Sequence, residues 1–165
     1  MSAQGVSGWQ RIDKAAFGLI YGAIMVLSIL MAAGDHPDAP FKTAVVLFGS
    51  VLAITLAKAF AEFLAHALDH GTRLSGGGWS DAWHHSYPTL AVANLPTLFF
   101  VAAAMGWITV ELAVLLSQGL CIALLMVLGA RVGWVADGGM VRAILGSLIA
   151  GGIGVALAAL KVLIH

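Results

Sequence analysis

Between Lys14 and Asp35 the chain reads AAFGLIYGAIMVLSILMAAG, without one charged residue. A helix that crosses the hydrocarbon core of a bilayer needs about 20 apolar residues at a rise of about 1.5 Å each. The run meets that length and predicts a transmembrane helix over 15–34. Ala32 and Gly34 are small enough to suggest a cleavable leader, but the apolar part of a leader spans only about 7–15 residues. The membrane span is the better reading. Composition carries the argument to the rest of the chain, since 61% of its 165 residues are hydrophobic and only 10% are charged. A water-soluble domain carries about 25% charge. Lipid must be the main solvent.

Four more helical stretches follow. Asp35 to Pro40 is a turn rich in proline and helix-capping residues, after which a helix is expected over 41–70. At about 45 Å it exceeds the hydrocarbon thickness, so its polar end should protrude or the helix should tilt. Gly71 suits a helix C-cap and Gly76 to Gly78 a hinge, and 71–87 reads as a short interfacial loop carrying Trp79, Trp83 and Tyr87. Pro88 opens a third span over 88–106, which Pro96 should kink and in which Asn94 offers an amide to a neighbouring helix or chain. The fourth and fifth spans are expected over 107–130 and 140–163. The fold class is therefore all-α, a polytopic membrane protein of five transmembrane helices forming one domain over 1–165.

Charge gives orientation and excludes several functions. With the N-terminus in the cytoplasm, Arg11, Lys14, Arg73, Arg131 and Arg142 fall on cytoplasmic ends, and only Lys42 and Lys161 fall outside. The positive-inside rule thus predicts N-in, C-out, in a cell inner or plasma membrane. Zero net charge and the lack of a basic run argue against nucleic acid as a partner. Cys121 is the single cysteine, which rules out an internal disulfide and zinc-ribbon chemistry. No GxSxG, HExxH, Walker loop or dinucleotide fingerprint occurs, so an enzyme is not expected.

The chemistry-bearing residues gather on the second helix. Lys58, Glu62, His66 and His70 recur at intervals of four and so share one face, with Asp69 beside them. Carboxylate and imidazole one turn apart can hold a divalent cation such as iron, manganese or zinc. Ionisable groups within a membrane span usually face the bundle interior. The alternative is a solvated helix end, in which Lys58 snorkels outward and pairs with Glu62 for stability alone. Asp81, His84 and His85 could add ligands, although neighbouring histidines on a helix point apart. Met25 offers a soft sulfur. On the fifth helix Ser147, Gly151, Gly154 and Ala158 are small residues at helical spacing, suited to tight packing within the chain or between two copies.

Several short segments resemble the vacuolar iron transporter family. Tyr21-Gly22-Ala23 is similar to that family's first-helix entry, and Ala61-Glu62-Phe63-Leu64 to the glutamate segment of its second helix. Leu128-Gly129-Ala130-Arg131 and Val141-Arg142-Ala143-Ile144-Leu145-Gly146 resemble the link from its fourth helix into its fifth. The resemblance implies a five-helix, N-in, C-out homodimer that moves ferrous iron or manganese as substrate, with Glu62 as the retained carboxylate. Where the family has a first-helix aspartate this chain has Ile24-Met25, and only Gly71 to Tyr87 stands in place of its cytoplasmic metal-binding domain. The expected function is divalent-cation transport through Glu62, His66, Asp69 or His70 and Met25. The alternative is a scaffold or accessory subunit that transports nothing. No resident cofactor is implied.

Topology is directly testable. In a Cys121→Ala background, a membrane-impermeant thiol reagent applied outside intact cells should label a cysteine at position 36 and not one at position 76. Labelling of 76 alone would reverse the orientation.

Overall fold

A computed structural model describes residues 8–32, 39–70, 76–137 and 139–164. Five helices follow one another: α1 (Gly8–Ala32), α2 (Pro40–His70), α3 (Gly76–Ala104), α4 (Val110–Asp137) and α5 (Met140–Ile164). Each contains a stretch long and apolar enough to cross a membrane. No strand occurs among the described residues. The chain is an all-α bundle of membrane-spanning type.

Three helix ends have an identifiable cause. Gly106 adopts a positive φ of 76°, and its N–H and that of Trp107 return to the carbonyls of Ala103 and Ala102, both at 3.0 Å. This is the paired 6→1 and 5→2 closure that a left-handed glycine permits. Thr109 then caps α4, its Oγ1 accepting from the Leu112 N–H at 3.3 Å. Pro40 occupies the first position of α2, where a missing N–H costs nothing.

Two boundaries differ from the sequence expectation. The segment 76–87 is not a loop; α3 begins at Gly76 and passes through Pro88 and Pro96 without ending. A proline removes one intrahelical donor, and neighbouring helices tolerate that within a bundle. The helix α4 also continues to Asp137, beyond the expected end at 130. The reason lies in its partner. A methyl group built on Gly133 would collide with the Arg142 carbonyl, so only glycine lets this last part of α4 lie against the start of α5.

Packing follows from small residues. The helices α4 and α5 form the most extensive pair, α2 and α3 the next, and α1 touches all four others. Gly129 and Gly146 face each other so closely that a Cβ on either would strike the other's carbonyl oxygen. Gly151 and Gly154, expected as candidates for packing between copies, are buried within the chain: their Cβ positions fall 2.5 Å from Met126 Cγ and 3.1 Å from Ile122 Cγ1 on α4. Ala23, Val26, Leu27 and Leu30 of α1 close the core against Leu47, Val51, Phe100 and Leu125. The outward surface is apolar, with Phe41, Phe60, Leu115, Leu148 and Ile149 all exposed. In water such a surface would aggregate; in a bilayer it is solvated.

Substituting Gly129 or Gly146 by valine should lower stability by about 1–3 kcal/mol or more, since backbone rather than a flexible side chain must move. Gly152→Ala, where a Cβ meets open space, should leave the melting temperature in mild detergent unchanged.

Candidate functional site

Lys58 and Glu62 of the α2 stripe sit where three helices meet. Lys58 and Glu62 lie inside the apolar stretch Pro40–Ala65. The Lys58 ammonium is 3.7 Å from Glu62 Oε1, with side chains 16% and 39% exposed respectively. At that distance the pair is electrostatic rather than a short hydrogen bond. Lysine preceding glutamate is also the weaker orientation of a helical pair, contributing about 0.2–0.5 kcal/mol at best.

Lys58 has other partners. Its Nζ stands 4.6 Å from the centroid of Phe17 and 6.0 Å from that of Tyr21. These two rings, one turn apart on α1, stack at 6.1 Å and 12°. A cation over an aromatic face gains about 0.5–2 kcal/mol as water is excluded. The rings therefore give the ammonium a second hold beside Glu62. This contact bridges a seam in which the α1 and α2 backbones meet only sparsely.

The third wall is α3. Ser86 is fully buried and donates from Oγ to Glu62 Oε2 at 3.4 Å, a long bond. One turn on, Thr89 is fully buried and its Oγ1 has no hydrogen-bond partner among the described residues. Glycine creates this closeness. A Cβ on Gly18 would lie 3.0 Å from Pro88 Cβ and 3.3 Å from Thr89 Oγ1, and one on Gly22 would lie 2.7 Å from the Thr89 carbonyl oxygen. The glycine of the Tyr21-Gly22 segment is thus a packing requirement of the α1–α3 contact.

Of the sequence-predicted residues, Lys58 and Glu62 are brought together. Met25 is partly buried on α1, four residues beyond Tyr21 and on the same helix face. His84 is exposed on α3 rather than in a loop. His66, Asp69 and His70 lie on the last turns of α2, and Asp81 and His85 on α3, but their side chains are outside the described residues. Among the described residues no three His, Cys, Asp or Glu side chains converge as a metal-ligand group. Phe17, Ser86 and Thr89 were not singled out from sequence. The available signals were the Phe17/Tyr21 spacing of four and two hydroxyl residues flanking Pro88.

Comparison with protein-family models, curated proteins and solved structures finds no match for this chain.

Thr89→Val, which keeps the shape and removes the unpartnered hydroxyl, should leave the melting temperature in detergent unchanged or raise it by the equivalent of about 1–3 kcal/mol. A clear loss of stability would mean that the hydroxyl has a bound partner.

Proposed function

We propose that this chain carries a divalent cation, ferrous iron or manganese, across a cell inner or plasma membrane with its N-terminus in the cytoplasm. The observation that supports this reading is the placement of Glu62. It is a carboxylate within an apolar span, at the junction of α1, α2 and α3, balanced by a lysine that aromatic rings also hold. Ionisable groups inside a membrane segment are costly and mark ion pathways by default. A cation reaching Glu62 takes the place of the ammonium, which withdraws onto Phe17 and Tyr21. His66, one turn along α2, supplies an imidazole nitrogen, and carboxylate with imidazole suits iron and manganese. Asp69, His70 and Met25 extend the path in the two directions. The resemblance of the Glu62 segment to the vacuolar iron transporter family points the same way.

One observation favours a second reading. Both Glu62 oxygens already have partners, Lys58 at Oε1 and Ser86 at Oε2. In a scaffold or accessory subunit the pair would simply fasten α2 against α1 and α3.

Calorimetry with manganese separates the two. For a cation site, Glu62→Gln should weaken binding at least tenfold, about 1.4 kcal/mol, while Lys58→Met should strengthen it by removing the competing charge. Glu111→Gln, at the exposed first turn of α4, should change nothing. If wild type and Lys58→Met both fail to bind, and both pair variants only melt earlier, the fastening role is the correct one.

A further inference from the structure

We propose that α3 forms the contact between two copies of this chain, closed by a reciprocal hydrogen bond between Asn94 and its counterpart. Asn94 stands one residue from the middle of the apolar stretch Ser86–Ala104. Its side chain is exposed, and among the described residues nothing bonds to its amide. A carboxamide with free donors and a free acceptor is costly against hydrocarbon, where no water can serve it. The buried face of α3 is a different one, formed by Ser86, Ala93, Pro96, Phe100 and Ala103.

The outward face has a regular pattern. Tyr87, Ala91, Asn94 and Leu98 follow at intervals of four, three and four, a spacing continued by Val101, which is partly packed against the core, and by Met105, just past the helix end. That is the repeat of a left-handed helix seam. Tyr87, Leu98 and Met105 are 49%, 61% and 58% exposed, so most of the seam is open. Ala91, one turn before Asn94, is small enough to let a second helix approach.

Geometry selects a second copy as the occupant. Two copies inserted the same way run their α3 helices parallel, so a two-fold axis along the membrane normal sets Asn94 opposite Asn94. The carboxamide both donates and accepts, and the pair satisfies itself. No residue of the seam is charged, so it offers nothing to a charged partner. A lone asparagine in such a seam also fixes register. The α5 glycines, already filled by α4, are not needed for the contact.

The test uses the full chain in proteoliposomes with Cys121→Ala. Oxidative crosslinking should give dimer from Leu98→Cys and Ala91→Cys, and not from Leu56→Cys on α2 or Ile149→Cys on α5, two positions that are also exposed. Adding Asn94→Leu to Leu98→Cys should raise the dimer dissociation constant about three- to thirty-fold, with Asn94→Gln restoring most of it. Because position 94 is exposed, the Asn94→Leu protein should keep its melting temperature, so lost dimer is not lost fold. Crosslinking strongest at Ile149 or Leu56, a monomeric wild type, or an Asn94→Leu protein that dimerises normally would each overturn the proposal.

Discussion

Inside a bilayer no water is available to a peptide group, and every element of this chain accommodates that constraint. Each span is a helix because a helix satisfies its own N–H and C=O groups. Several hydroxyls in the spans are absorbed the same way. Ser28, Thr55, Thr97 and Ser117 each donate to the carbonyl four residues earlier, at 2.7–2.8 Å. With polarity contained within each helix and no hydrophobic drive between helices, contact depends on how closely backbones can approach. The α4–α5 hairpin is closed by Gly129, Gly133 and Gly146, and α1 reaches α3 through Gly18 and Gly22.

The α1–α3 contact is also where local containment stops. Pro88 brings no N–H to α3, Ser86 turns to a carboxylate on another helix, and Thr89 finds no partner among the described residues. Lys58 and Glu62 face this same junction from α2. The aromatic rings and the carboxylate both hold the ammonium. At 3.7 Å the ammonium is not in short hydrogen-bond contact with the carboxylate. That property distinguishes this pair from a close, fully satisfied salt bridge.

The two apolar exteriors differ in the same physical terms. On α5 the outward residues Leu148, Ile149 and Ile153 are hydrocarbon throughout, and lipid solvates them fully. On α3 the outward stripe contains a carboxamide that lipid cannot solvate. Exposure alone does not separate these faces. Hydrogen-bonding capacity does.

Much of the fold was legible in the sequence, because hydrophobic length is a one-dimensional property. Uncharged runs gave five spans, and Pro40, Gly106 and Met140 marked ends that depend on local backbone chemistry. The pairing of Lys58 with Glu62 was legible too, since a spacing of four is set by helix geometry alone. Within the expected loop, 76–87 is helix instead, because a Gly-rich entry and a proline do not prevent a helix that neighbours support. The end of α4 was missed because Gly133 serves α5 rather than a turn. Gly151 and Gly154 were read as small residues, but only the packing could say that Met126 and Ile122 fill the space beside them. Phe17, Ser86 and Thr89 joined the site for the same reason: they come from helices that sequence separation keeps far apart from Glu62. Sequence determined which segments are helices and which residues share a face. Tertiary structure decided which faces meet, because that depends on where two backbones can come close enough to touch.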